Sequence, residues 1–301
     1  MPCLSSIGYR PLSSGDVVSS APIWQLLAKG KITEAEALCN AQVLAGVSHA
    51  DLDCQLAIIH EHHQRFEQAE ALLKRALVRN PEHLQAWISL AGVLLHRDQL
   101  QLALHCYRRA LLLQPQLAAL HYNLGVTLLR VGEDEEAIPA LREALRLRPE
   151  YPQALNSLGL ALRRQGRLQE AVDCYRRVLA LHPEQPIAHN NLANVLREQQ
   201  QGEQAIAHYQ QAIRLDPHYG DAHANLAGAY RDCGQITLAI AWYRQALGLL
   251  PESAVAHLNL GLPGVNYVGG SRQLRRRVGV PTPLPWQGGG PRRWQGRLAV
   301  N

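Results

Sequence analysis

The chain has 301 residues, 47% of them hydrophobic and 18% charged, a length that alone would allow two domains. Its formal net charge of +5 at pH 7 does not mark a basic body: seven arginines and no acids fall in the last forty residues, leaving about −2 for everything before them. No run of about 18 apolar residues occurs, which excludes a membrane-spanning helix.

Residues 1–20 are rich in Ser, Gly and Pro, show no periodicity and lack the long apolar core of a signal peptide. They read as a disordered lead-in, and the chain is expected to be soluble and cytoplasmic. From Ile23 a helical pattern begins, with Gly30 and Ala35 at places that return throughout the following units. Val47 stands where those units have Pro, so residues 21–49 read as a degenerate capping repeat, because a terminal repeat must present one wetter face.

From Ala50 onward the order is strict. Pro81, Pro115, Pro149, Pro183, Pro217 and Pro251 lie 34 residues apart. If units are numbered from Ala50, Leu84, Ala118, Pro152, Pro186 and Gly220, those prolines fall at position 32. Position 20 is then always Ala, from Ala69 to Ala239, and position 7 always Leu. Position 8 is Ala or Gly (Ala57, Ala91, Gly125, Gly159, Ala193, Ala227), and position 24 is Tyr or Leu. Positions 4, 7, 8 and 11 share one face of a first helix, and 20, 24, 27 and 28 share one face of a second. Small residues at 8 and 20 predict close approach of the two helices, with the residue at 24 filling the space beside them. Gly at position 15 (Gly132, Gly166, Gly234) ends the first helix, and Pro at 32 stops the second.

With this period and this small/large/Pro pattern, residues 50–261 resemble the tetratricopeptide repeat, with six full units and a seventh that is interrupted. A hairpin of this size cannot bury its own apolar face. Stacking therefore predicts one elongated all-α domain, an α-solenoid with a concave groove. The resemblance implies that the superhelix is right-handed.

His60-Glu61-His62-His63 invites a metal reading, but the spacing is not His-Glu-x-x-His and no second ligand cluster faces it, so these read as solvated histidines of a helix end and no metal is expected. The cysteines Cys3, Cys39, Cys54, Cys106, Cys174 and Cys233 form no Cys-x-x-Cys and read as reduced thiols filling the core.

Function is expected in the groove. Position 6 reads Gln55, Ser89, Asn123, Ser157, Asn191, Asn225 and Asn259, with Asn156, Asn190 and Asn194 close by. A carboxamide offers one acceptor and two donors, so a row of them suits the backbone of an extended peptide; the alternative is a row that only solvates the groove. Position 4 adds His121, His189, His223 and His257 in the place of Trp87, either as packing residues or as a pH-sensing row. Arg163, Arg197 and Arg231 at position 12, with Arg130 and Arg164 at position 13, give the groove a basic edge suited to acidic segments of a partner. Chaperone-tail-binding members of the family hold a carboxylate with Lys, Asn and Arg. Position 5 here is never Lys, and the Asn190-Asn194-Asn225 trio lacks the clamp's basic members, so that function is not carried over.

There is no Gly-x-Ser-x-Gly, phosphate loop or Rossmann fingerprint, and no cofactor is expected. The seventh unit starts in phase through Gly261 and then meets Pro263. Residues 262–301 read as an Arg/Gly/Pro-rich disordered tail, native or from a shifted reading frame, and nucleic-acid binding is conceivable only there, through its arginines with Trp286 and Trp294. The cut also predicts an uncapped end open to self-association. The phrase Ala-His-x-Asn-Leu-Gly, complete at Ala256–Gly261 and partial at 188–193 and 222–227, resembles the repeats of protein O-linked N-acetylglucosamine transferases and their bacterial relatives. In that family the repeats guide a polypeptide to a transferase domain. The leading expectation is a non-enzymatic scaffold for a peptide or protein partner; the alternative is the substrate-recognition region of such a transferase.

Overall fold

A computed structural model describes residues 20–261, and among them there are fifteen α-helices and no strand. The lead-in before Ser20, Cys3 and the tail after Gly261 with its two tryptophans lie outside the described residues. The helices fall into two compact units, residues 20–149 and 150–261, each a stack of the helical hairpins that the 34-residue period predicts.

The first unit begins with the short pair α1 (Ala21–Ala28) and α2 (Ile32–Leu44), where the degenerate repeat was expected. Three full hairpins follow: α3 (Ala50–His62) with α4 (Phe66–Arg79), α5 (Leu84–His96) with α6 (Leu100–Leu113), and α7 (Ala118–Val131) with α8 (Asp134–Leu147). The second unit contains α9 (Pro152–Arg164) with α10 (Leu168–Leu181), α11 (Pro186–Glu198) with α12 (Gly202–Leu215), α13 (Gly220–Asp232) with α14 (Ile236–Leu249), and the half-hairpin α15 (Ala254–Gly261). Within each unit the second helix of one hairpin packs on the first helix of the next, as in α4 on α5 and α12 on α13.

The small residues do what their spacing predicts. The six alanines at position 20 are buried, and so are the alanines at position 8. A Cβ added at Gly125 would stand 2.6 Å from Leu141 Cγ, and one added at Gly159 would stand 2.7 Å from Tyr175 Cζ. The larger residue at position 24 therefore occupies the room that position 8 vacates, as close-packed interiors require.

Position 15 explains the turn between the two helices. It has a left-handed φ in every full repeat: Gly132, Gly166 and Gly234 adopt it at 92°, 70° and 76°, while Gln64, Asp98 and Gln200 adopt it at 60°, 58° and 63° with a side chain present. Turn geometry is thus imposed by the hairpin even where the residue resists it.

Position 4 secures one repeat to the next. Trp87 Nε1 donates to the Pro81 carbonyl at 2.8 Å, and the Nε2 of His121, His189, His223 and His257 lies 2.8, 3.1, 3.0 and 2.6 Å from the carbonyls of Pro115, Pro183, Pro217 and Pro251. A carbonyl only accepts, so each of these imidazoles carries its proton on Nε2. Histidine replaces Trp here because both place a ring N–H at the same reach. This is the packing role of the two roles expected for that row.

Of the cysteines, Cys39, Cys54, Cys106 and Cys174 are buried thiols outside any disulfide, and burial pushes those of Cys39 and Cys106 up to about 12. Cys233 departs from the core-filling expectation. It caps the C-terminal end of α13, where the helix runs out to solvent, and is exposed.

Candidate functional site

In the second unit α11 and α13 carry a connected set of amides. Asn225 Nδ2 donates to Asn190 Oδ1 at 3.0 Å, and Asn190 Nδ2 donates to the Tyr219 hydroxyl at 3.3 Å. The Tyr209 hydroxyl donates to Asn194 Oδ1 at 2.6 Å. These bonds fix which valences remain. The Asn225 carbonyl oxygen and the Asn194 amide hydrogens are left over, and Asn191 is half-buried with no hydrogen bond drawn to its side chain. Asn156 is half-buried, with its Oδ1 enclosed and unpartnered. Asn259 accepts a hydrogen bond from Arg231.

Two residues of the expected amide row do not face an open groove. Asn190 is only 4% exposed, because its side chain is drawn into the relay between Asn225 and Tyr219. Asn123, in the first unit, is 2% exposed, and its Oδ1 has no partner. Its neighbours Tyr122, Val126 and Thr127 are buried as well, so a side chain as short as Asn does not reach past them. Gln55 and Ser89, which share its frame position, are also buried. The row is accessible in the second unit, at Asn191, Asn194, Asn225 and Asn259, and sealed in the first.

The basic edge is partly neutralised. Arg163 Nε lies 3.6 Å from Glu198, and Arg197 Nε lies 2.6 Å from Asp232, which also pairs with Arg231 at 2.9 Å. Burial works against the Arg197 charge, but the hydrogen bond and charge of Asp232 together with Tyr209 outweigh it, and the guanidinium is held above its ordinary pKa. Two acids thus answer three arginines. Both were missed in the sequence, although the signal was there: Glu198 and Asp232 sit at position 13, one repeat and one residue beyond Arg163 and Arg197. In the first unit Arg130 likewise pairs with Asp98 at 3.1 Å.

His189 adds a further pair. Its Nδ1 lies 3.0 Å from His208 Nδ1, with the rings stacked at 5.2 Å. Since His189 gives its Nε2 proton to Pro183, its Nδ1 accepts and His208 donates. Burial, with the nearby Arg214 for His189 and with His189 and Arg176 for His208, holds both imidazoles below their ordinary value. At the other end of the chain His63 pairs with Glu36 at 3.2 Å, and among the described residues no three His, Cys, Asp or Glu side chains are grouped to hold a metal ion.

Models of the tetratricopeptide repeat match residues 82–150 and, in overlapping pairs, 122–186, 156–218 and 190–254, together more than half of the chain. Among solved structures, a chain of the APC/C hetero-tetramer Cut9-Hcn1 superposes with a TM-score of 0.63 at 20% identity over 80% of this chain and 48% of that one, so this chain spans about half its length. PilW, a type IV pilus biogenesis factor, gives a TM-score of 0.62 at 23% identity over 70% of this chain and 98% of that one. YrrB, a TPR protein with an unusual peptide-binding site, gives 0.51 at 22% identity over 63% of this chain and 98% of that one. At such identities the likeness is one of fold. No curated protein matches by sequence.

Proposed function

The chain belongs to the tetratricopeptide repeat family, and from that premise we propose that it is a non-enzymatic scaffold that holds an extended polypeptide along the amides of its second unit. One observation carries the reading. The internal relay consumes only part of each carboxamide, so Asn194 turns donors outward, Asn225 an acceptor, and Asn191 both. Alternating donors and acceptors match the alternating N–H and C=O groups of an extended backbone. Because backbone is what they read, specificity for side chains is broad. Arg163, Arg197 and Arg231 add a modest preference for acids, limited by Glu198 and Asp232.

The test is binding to an array of random dodecapeptides by the full chain and by a variant with Asn191, Asn225 and Asn259 all changed to Ala. The reading expects most of the bound peptides to be lost. Unchanged binding overturns it and leaves the amides as solvating groups. The reading carries a cytoplasmic location with it, supported by four buried cysteines that form no disulfide.

A second reading has its own support. The α15 helix brings the Ala256–Gly261 phrase into a seventh repeat in phase, with His257 meeting the Pro251 carbonyl as its counterparts do. This favours an array that guides polypeptides to a glycosyltransferase domain in a longer parent. Reading the other frames of the DNA after codon 261 tests it: restored repeat positions leading into an α/β domain support it, and their absence removes it.

A further inference from the structure

Two acids of the first unit are buried, and each holds two cations. Asp53 has Arg75 at 2.5 Å and Arg79 at 2.6 Å, and Glu70 has Lys74 at 2.6 Å together with Arg97. Glu61, at the end of α3, is different. Its side chain is only 28% exposed, yet the basic group facing it is His96, with Nε2 4.0 Å from Oε1, beyond hydrogen-bond reach. Burial pushes its carboxyl up to about 7. His96 does not answer the charge, because burial and then the Arg130 guanidinium hold that imidazole below its ordinary value, and its ring is stacked on Phe66 at 4.9 Å.

The repeat frame shows why this spot is open. In the second unit, Arg197 at position 12 lies against the bare backbone of Gly228 at position 9 of the next repeat, where a Cβ would stand 3.0 Å from its guanidinium. Glu61 and Gly92 are the same pair of positions in the first unit. Gly92 is buried, and a Cβ there would make ordinary van der Waals contact with Glu61 Oε1 at 3.6 Å and meet no other atom within 4 Å, so a side chain fits against the carboxylate. In the second unit position 9 also serves one tyrosine at position 24, with Asn194 accepting from Tyr209. At Gly92 that side chain is missing, and its tyrosine, Tyr107, has a fully buried hydroxyl without a partner. The Glu61 charge is felt at that phenol. A carboxylate without a counter-charge, space over a glycine and an unsatisfied hydroxyl therefore coincide.

We propose that this seat takes the ammonium or guanidinium end of a lysine or arginine side chain from a polypeptide partner, supplying to Glu61 the cation that Asp53 and Glu70 find within the chain. The inference rests on the reading of the chain as a peptide-binding scaffold. A cation at this place gains from low local exposure and answers a half-buried carboxylate, the combination that makes a charged contact worth more than a fully exposed pair.

The test uses twin dodecapeptides of Gly and Ser, one with two central lysines and one with norleucine in their place, titrated by calorimetry into the full chain while the Gly92 amide is followed by NMR. At least a tenfold preference for the lysine twin is expected, with a shift at Gly92. Glu61→Gln should erase the preference, and because it removes an uncompensated charge its melting temperature should not fall. Gly92→Asn, which fills the space and gives Tyr107 the partner Tyr209 has, should erase it too. The Asn191/Asn225/Asn259 to Ala variant, changed only in the other unit, should leave the preference for the lysine twin intact, which separates failure of this seat from failure of the amide reading. A preference that survives Glu61→Gln, equal affinity for both twins, or no binding of either overturns the proposal.

Discussion

The two units share one frame and differ in what they place on it. At position 12 the first unit has Glu61, Leu95 and Leu129, where the second has Arg163, Arg197 and Arg231. At position 6 the first is sealed and the second accessible. The first unit buries two acids beneath paired cations, as with Asp53 beneath Arg75 and Arg79, besides its surface pairs; in the second the pairs meet near the surface, as with Arg197 and Asp232. Positions 8, 20, 24 and 32 fix how hairpins pack and hardly vary, whereas 5, 6, 9 and 12 are free to diverge, so one scaffold carries two chemistries. The sharpest way to break this comparison is to remove the counter-ions. Changing Arg75 and Arg79 together to Met leaves Asp53, with its side chain 3% exposed, uncompensated, and unfolding in urea should show a loss of about 3–5 kcal/mol. Asp232→Asn in the second unit should cost about 1 kcal/mol or less. Equal effects would erase the distinction.

The glycines sharpen it next. Gly159 touches Tyr175 so closely that Gly159→Ala should destabilise by about 1–3 kcal/mol. Gly92→Ala adds a methyl in ordinary contact with Glu61, without a clash, and should be neutral or stabilise by up to about 1 kcal/mol through helix propensity. Thermal melts of the two variants decide it. The same residue type one frame position apart is forced by packing in one case and tolerates a side chain in the other.

The fold was legible because packing repeats. Six prolines, six alanines and the paired small residues each stated the same contact again, so no single ambiguity mattered. The site was less legible because its residues do not repeat. Position 6 looked uniform in sequence, yet Asn123 is sealed while Asn191 is accessible, a difference set by the bulk of neighbours such as Tyr122 rather than by the amide itself. Arginines were visible as a row, but the acids that neutralise them lie 35 residues away and have meaning only once α11 and α13 are side by side. The isolation of Glu61 could not be seen at all without knowing what Gly92 fails to fill.

Turn residues offer a smaller test that should not distinguish the units. Gln64 in the first and Gln200 in the second both hold a left-handed φ that Gly132, Gly166 and Gly234 adopt without strain. Gln64→Gly and Gln200→Gly should each stabilise by about 1 kcal/mol, visible as a raised urea midpoint. A gain in only one unit would mean that the hairpins are not equivalent at their tips.

The smallest effect expected belongs to the second unit alone. His189 and His208 share one proton through Nδ1, and both are held below the ordinary imidazole value, first by burial and then by Arg214 for His189 and by His189 and Arg176 for His208. A lowered folded pKa means that the fold favours the neutral rings. Their contribution is therefore complete above the unfolded value of about 6.5 and is lost as pH falls below it. His208→Phe keeps a stacked ring and removes the titrating group, so the drop in urea midpoint between pH 7.5 and 5.5 should be smaller in the variant than in the parent. The Cε1–H signals of the two histidines, followed by NMR, should titrate below the free imidazole range and move together. If they titrate at the ordinary value, the 3.0 Å contact between the rings does not hold their protonation, and the second unit loses its one acid-sensitive joint among the described residues.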